Sequence, residues 1–136
     1  MFLGYSASAQ NTSKLLSEYM NIKNALVSSD SKVTKEAVNT FYQSLKSEKD
    51  FTEKADLLKA VEKMTKASGI DKQRDAFNGI STVVWKLVNK SDVTQTVYYQ
   101  YCPMKKTYWL SQEKEIKNPY YGSSMLTCGK TVETKN

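Results

Sequence analysis

Two cysteines and two methionines near the C-terminus are the residues best suited to chemistry in this chain of 136 residues. Cys102 and Met104 are two residues apart, and Met125 and Cys128 are three apart. Residues two apart in an extended strand point to the same face, so Cys102 and Met104 can present their sulfur atoms together. Met125 and Cys128 can do the same across one turn. Two thiolates and two thioethers form a soft ligand set, which favours Cu(I) or Ag(I) over hard cations such as Mg²⁺ or Ca²⁺. The spacing therefore indicates a candidate soft-metal site at these four residues.

The neighbouring residues Lys105 and Lys106 bear on the charge of such a site. Two ammonium groups would offset the negative charge of a monovalent ion held by two thiolates, and we expect them to lower the thiol pKa. Zinc is less suited to this ligand set, because it prefers thiolate, imidazole and carboxylate to thioether.

A disulfide is the structural alternative for the two cysteines. Paired cysteines in exported proteins are more often bridged than metal-bound, and this bridge would contribute roughly 3 to 4 kcal/mol by closing a loop. Met104 and Met125 would then be core filler. Spacing alone favours the disulfide over the metal site. A redox enzyme is disfavoured, because Cys102 and Cys128 are far apart in sequence and lack a C-x-x-C arrangement.

The overall composition argues against an enzyme and against a nucleic-acid partner. Histidine is absent from the sequence, so the usual general base for a Ser or Cys nucleophile is missing. The net charge of +6 comes from lysines that are scattered and interleaved with acids, as in the segments 46–50 and 113–115. The electric fields of such interleaved opposite charges largely cancel at distances of about a Debye length. We therefore expect no enzymatic activity and no nucleic-acid binding, and no apolar stretch is long enough to span a membrane.

Four amphipathic helices are predicted before residue 90, because apolar residues recur there at helical spacing. The predicted apolar faces contain Leu15, Tyr19, Ile22 and Leu26; Val33, Ala37, Phe41 and Leu45; Leu57, Leu58, Val61 and Met64; and Phe77, Ile80, Val84, Leu87 and Val88. The Ser28–Ser31 cluster, Thr52 and Asp71 offer N-cap oxygens, and Gly69 can terminate the third helix. Short connections between the helices predict an antiparallel four-helix bundle.

The segment after residue 90 has a different character. Thr94 to Tyr101 is β-branched and aromatic, which favours a strand, and Tyr108 to Leu110 suits a second strand. A last short strand is indicated at Thr131 to Glu133. The predicted fold class is thus mainly α, with the bundle at residues 11–90 followed by a small C-terminal β-hairpin and loop cap at residues 94–136, all in a single domain spanning 11–136.

Aromatic residues are concentrated in the predicted cap. They are Tyr98, Tyr99, Tyr101, Tyr108, Trp109, Tyr120 and Tyr121. They suit a stacking platform for bases or sugars, but a compact cap over the end of the bundle is the favoured interpretation. Trp109 also has the option of a face-on contact with a bound monovalent cation.

The first ten residues have the pattern of a signal-peptide remnant. A short apolar stretch precedes an Ala-x-Ala cleavage pattern at Ala7 and Ala9. We therefore expect residues 1–10 to be removed, the mature chain to start near Gln10, and the protein to be periplasmic or secreted.

Several motifs together resemble a bacterial family of exported domains of unknown function. The matching residues are Tyr101-Cys102-Pro103-Met104, Trp109-Leu110-Ser111, Asn118-Pro119-Tyr120-Tyr121-Gly122, Met125 and Cys128-Gly129, with further matches upstream at residues 19–27 and 73–77. Members of that family occur alone and also attached to periplasmic adaptor subunits of copper and silver efflux pumps. Some relatives carry His directly after the Cys-Pro-Met motif, where this chain has Lys105, and many have a longer segment before the Trp-Leu-Ser motif.

The resemblance implies a helical domain with a heavy-metal-binding role, in which Cys102, Met104, Met125 and Cys128 match the ligand positions. Together with the ligand chemistry, it shifts the preference from a disulfide to a soft-metal site. We therefore expect a periplasmic Cu(I)- or Ag(I)-binding domain that sequesters the ion or delivers it to an efflux adaptor. The alternative is a disulfide-locked protein-interaction module that binds no metal.

Overall fold

A computed structural model describes residues 11–136, which form four helices and three strands. The helices are α1 (Thr12–Val27), α2 (Ser31–Ser47), α3 (Lys54–Thr65) and α4 (Ile70–Asn89), and the strands are β1 (Val97–Cys102), β2 (Thr107–Ser111) and β3 (Lys130–Lys135). The predicted signal-peptide remnant at residues 1–10 lies outside the described residues. The prediction of a mainly helical chain with a small C-terminal β-structure is confirmed.

The first two helices begin at side-chain caps. Asn11 Oδ1 accepts a hydrogen bond of 3.0 Å from the backbone N–H of Lys14 at the start of α1. Asp30 Oδ1 accepts one of 3.0 Å from the N–H of Val33 at the start of α2, as its place in the polar cluster predicted. Both side chains satisfy donors that the first helical turn leaves unpaired.

The last two helices begin differently from the prediction. Thr52 is not a cap, because α3 starts at Lys54 after Glu53, with no side-chain capping bond. Gly69 is the residue before α4 rather than the terminator of α3, and its φ of 88° suits glycine. Asp71 lies in the first turn of α4, where a carboxylate interacts favourably with the helix dipole.

Consecutive helices pack against one another, and α4 also contacts α1 and β2. Most predicted apolar faces are buried, with Tyr19, Phe41 and Leu57 fully inaccessible to solvent. The buried face of α2 differs from the face that the sequence predicted. Val33 is 45% exposed, whereas Val38 beside the predicted stripe is buried.

The three strands form an antiparallel sheet with the order β2-β1-β3. Gln100 of β1 lies opposite Trp109 of β2, and Tyr101 lies opposite Lys130 of β3. The predicted hairpin is therefore present, and the predicted last strand at residues 131–133 falls within β3.

Two helices cover the outer edge of β2. The N–H of Tyr108 donates to Asn78 Oδ1 of α4 at 2.8 Å, and the N–H of Leu110 donates to the Tyr19 hydroxyl of α1 at 3.0 Å. Tyr19 is itself hydrogen-bonded to Ser81 at 2.6 Å. These bonds satisfy donors that an edge strand would otherwise leave unpaired, and they fix the sheet against the helices.

Within residues 11–136, none of the helices combines the length and the apolar character that crossing a bilayer requires.

Candidate functional site

The end of β1 and the start of β3 bring the two cysteines to one place. Cys102 is the last residue of β1, and Cys128 lies two residues before Lys130, the partner of Tyr101. Gly129, the residue after Cys128, has a φ of 150°, and a Cβ built on it would lie 3.0 Å from the carbonyl oxygen of Tyr101. The absence of a side chain at Gly129 thus lets the backbone next to Cys128 approach β1 closely.

The thiols of Cys102 and Cys128 are both free, and the pairing of β1 with β3 brings the two residues to the same end of the sheet. Partial burial raises the pKa of Cys128, and the charge and hydrogen bond of the neighbouring Cys102 side chain raise it further. The two lysines were expected to lower the thiol pKa. That expectation is wrong for Cys128, because burial and the second thiol dominate.

The two thiols differ in exposure. Cys102 is fully buried, whereas Cys128 is partly exposed. Cys128 is therefore the residue of the pair that a molecule from solvent reaches more easily.

Each methionine lies on an exposed turn next to one of the cysteines. Met104 is 66% exposed in the turn between β1 and β2, which is closed by a hydrogen bond of 2.7 Å from the N–H of Lys106 to the carbonyl of Cys102. Met125 is 40% exposed, and its carbonyl accepts a bond of 3.1 Å from the N–H of Cys128. Neither methionine is core filler. The structure thus brings the two predicted thiol ligands to the same end of the sheet and leaves both thioethers at the surface of the adjoining turns.

Harder ligands do not cluster in the part of the chain that the structure describes. No group of three or more Cys, Asp or Glu side chains within residues 11–136 is arranged to hold an ion. An ion on the thiol pair would therefore take any further protein ligand from a softer or neutral donor, and the thioethers of Met104 and Met125 are the sulfur donors in the adjoining turns.

Asn118 organises the loop that carries Cys128. Its Oδ1 accepts a hydrogen bond of 2.8 Å from the N–H of Tyr120, two residues further along the chain. Sequence reasoning missed a second contact, in which Asn118 Nδ2 donates to the carbonyl of Cys128 at 2.6 Å. The backbone N–H of Asn118 also donates to the carbonyl of Leu126 at 2.7 Å. Asn118 is fully buried, so these bonds are shielded from water.

Arg74 fixes the same loop to the helices. Its Nε donates to the carbonyl of Pro119 at 2.8 Å, and one Nη donates to the carbonyl of Leu26 and to Ser29 Oγ, each at 2.9 Å. The guanidinium therefore joins α4, the end of α1 and the loop through neutral oxygen atoms.

A family model described as "Protein of unknown function (DUF3347)" matches residues 15–96. The chain belongs to the DUF3347 family. The match spans nearly all of α1 and the whole of the next three helices and ends before β1, so all four candidate ligands lie beyond it. Comparison with curated proteins and with solved structures finds no match.

Five of the seven aromatic residues in the predicted cap of this DUF3347 chain make ring contacts, while a cap over the end of a bundle stays a prediction. The rings of Trp85 and Tyr99 stack with their centres 4.6 Å apart, and Tyr99 stacks on Tyr108 at 4.8 Å. Trp109 is fully buried, and its Cη2 atom would lie 2.8 Å from a Cβ on Gly129. Its ring thus packs beside the residue that follows Cys128, while contact between Trp109 and a cation stays a prediction.

Proposed function

We propose that this chain binds a soft monovalent ion, Cu(I) or Ag(I), outside the cytoplasm and either sequesters it or delivers it to a partner. The thiolates of Cys102 and Cys128 are the principal ligands, and Met104 and Met125 complete the site. The single observation that carries the proposal is that the pairing of β1 with β3 brings two free cysteines, Cys102 and Cys128, to the same end of the sheet. A thiolate pair of this kind selects soft ions.

The exposure of the methionines supports their assignment as ligands. Within residues 11–136, the large hydrophobic side chains left exposed are Val33, Met104, Met125 and Val132. The other two methionines of the described chain, Met20 and Met64, are buried in the helical core. A methionine side chain that is exposed to solvent does not contribute the hydrophobic stabilisation that burial would give. A role as ion ligands would explain why Met104 and Met125 are exposed.

The arrangement also suits transfer of the ion to another protein. Cys128 and both methionines are reached from solvent without opening the helical core, so an incoming ligand from a partner can approach the ion. The periplasmic or secreted location and an efflux adaptor as the partner follow from the family resemblance and the signal-like N-terminus. They are parts of the same proposal.

The test is an anaerobic titration of the reduced protein with Cu(I) in competition with a chromogenic chelator. We expect one ion to bind per chain, and binding to vanish in the double variant Cys102→Ser, Cys128→Ser. The double variant Met104→Leu, Met125→Leu should bind more weakly while retaining binding, because it keeps both thiolates. The matched control is Met20→Leu, Met64→Leu, which removes two buried thioethers and should leave the affinity unchanged.

The closeness of two free cysteines at one end of the sheet favours one further candidate, a disulfide-locked module that docks onto another protein without metal. Thiol counting on protein purified from an oxidising compartment without reductant separates the two candidates. A fully bridged pair, together with no Cu(I) binding after reduction, would support the interaction module. Tight binding by the reduced protein that requires both cysteines would support the metal site.

A further inference from the structure

The two cysteines differ in how easily a molecule from solvent can reach them. Cys102 ends β1 and is fully buried, and the sheet holds its backbone, which pairs with Thr107 of β2. Cys128 lies in the loop before β3 and is partly exposed. A disulfide-containing molecule that arrives from solvent therefore meets the sulfur of Cys128 first.

We propose that this pair carries out ordered thiol–disulfide exchange with a soluble disulfide, in which Cys128 is the entry thiol and Cys102 is the resolving thiol. The exchange requires no metal ion, so it goes beyond the ion binding proposed above. It assigns Cys128 as a site of mixed-disulfide modification and gives the buried Cys102 a chemical role.

The exchange consists of two balanced steps. In the first, the Cys128 thiolate attacks one sulfur of the incoming disulfide, forming a mixed disulfide and releasing one thiolate. In the second, the Cys102 thiolate attacks Sγ of Cys128, forming the Cys102–Cys128 bond and releasing the other half of the reagent as a thiolate. The two protons lost by the cysteines end on the two released thiols, and the two electrons reduce the incoming disulfide.

The surroundings of the two sulfurs favour this order. The second step needs Cys102 next to Cys128, and the register that pairs Tyr101 with Lys130 brings the two cysteines to the same end of the sheet. The loop segment of Cys128 is held by the bond from Asn118 to its carbonyl, which leaves the Sγ atom of Cys128 free to react. Cys102, by contrast, reaches a reagent only through Cys128 or by opening of the sheet.

The experiment is incubation of the reduced, metal-free chain with glutathione disulfide, followed by acid quenching and intact-mass measurement. We expect the wild-type protein to form the internal disulfide with little lasting adduct. The variant Cys102→Ala should accumulate one glutathione adduct at Cys128, because no resolving thiol is present. The variant Cys128→Ala should react more slowly than Cys102→Ala by about tenfold or more, because its remaining thiol is buried.

Equal reaction rates for the two single variants would overturn the proposal, and so would a wild-type product with two adducts and no internal bond. Circular dichroism checks that each variant is folded. Should Cys102→Ala not fold, peptide mapping of the first adduct in rapidly quenched wild-type protein decides instead, with Cys128 the expected site and Cys102 the contradicting one. Because no ion is present, failure of this exchange is distinguishable from failure of Cu(I) binding.

Discussion

Asn118 Nδ2 donates a hydrogen bond of 2.6 Å to the backbone carbonyl of Cys128, across ten residues of the loop that covers the sheet. The same side chain accepts from the N–H of Tyr120, so it is held from both sides. Because Asn118 is fully buried, water does not replace either bond when one is lost. The position of the Cys128 thiol therefore depends on a side chain that carries no charge and binds no ion itself.

Replacing Asn118 with alanine should weaken both the fold and the proposed ion site. The substitution leaves the buried carbonyl of Cys128 without this partner, which should lower the free energy of unfolding by about 1 to 3 kcal/mol. Loss of support for a metal ligand should lower the Cu(I) affinity by roughly tenfold or more. Urea denaturation and competitive Cu(I) titration measure the two effects separately.

Asn78→Ala is the matched control, because Asn78 also makes a side-chain bond to backbone, accepting from the N–H of Tyr108 at 2.8 Å. This variant should lose stability but keep the Cu(I) affinity, since Tyr108 is not a proposed ligand. An equal loss of affinity in both variants would mean that Asn118 acts only through global stability.

Gly129→Ala should separate the two cysteines. A Cβ at this position would lie 2.8 Å from Trp109 Cη2 and 3.0 Å from the carbonyl of Tyr101, and the φ of 150° disfavours any other residue. We expect a loss of about 1 to 3 kcal/mol from backbone strain, with an additional loss from the contacts. Formation of the Cys102–Cys128 disulfide should also become slower, as measured by the appearance of the bridged form in glutathione buffer.

The variant Gly69→Ala distinguishes the effect of backbone strain from the effect of steric contacts made by a new Cβ atom. Gly69 has a φ of 88°, but a Cβ there would meet no atom within 4 Å. This variant should lose stability through strain alone and form the disulfide at the wild-type rate. If it slows the disulfide as much as Gly129→Ala does, crowding next to Cys128 is not the cause.

The spacing of apolar residues predicted most of the helical fold, because each helix must bury one face and therefore carries its own apolar stripe. The stripe that contains Tyr19 and the stripe that contains Phe77 are both buried as predicted. The errors occurred at helix ends and on one face. Gly69 suits either the end of one helix or the start of the next, and Val33 continues the stripe of α2 although it is 45% exposed.

The residue types of the candidate site could be predicted from sequence, but their contacts could not. Soft-ligand chemistry singles out Cys102 and Cys128, yet their proximity depends on how β3 pairs with β1. The bonds from Arg74 and Asn118 go to backbone carbonyls distant in sequence, and any residue type can supply a carbonyl. No pattern of side chains marks such partners in advance.

The stability of the protein should fall at alkaline pH as buried tyrosines ionise. Burial, followed by the charges of Tyr108 and Glu133, raises the pKa of Tyr99 from 10.0 to about 12. A raised pKa means that the folded state favours the neutral phenol, so its contribution is complete below pH 10.0 and is lost as the pH rises towards about 12. Tyr99→Phe should reduce the loss measured by urea denaturation across this range. An unchanged pH dependence would show that Tyr99 ionises as readily when folded as when unfolded.

Replacing Lys23 with methionine should stabilise the protein. Lys23 is only 2% exposed on α1, and burial lowers its pKa, an effect that Lys117 reinforces and Glu113 partly offsets. Removing a buried ammonium group should raise the free energy of unfolding by on the order of 1 kcal/mol near neutral pH. Because the folded state binds its proton less tightly, the wild type gains stability as the pH rises towards 10.5, and the advantage of Lys23→Met should shrink there.

Lys14→Met, on the exposed side of the same helix, should change stability little. Urea denaturation at neutral and alkaline pH tests both variants, and a less stable Lys23→Met protein would mean that attraction to Glu113 outweighs the cost of burial.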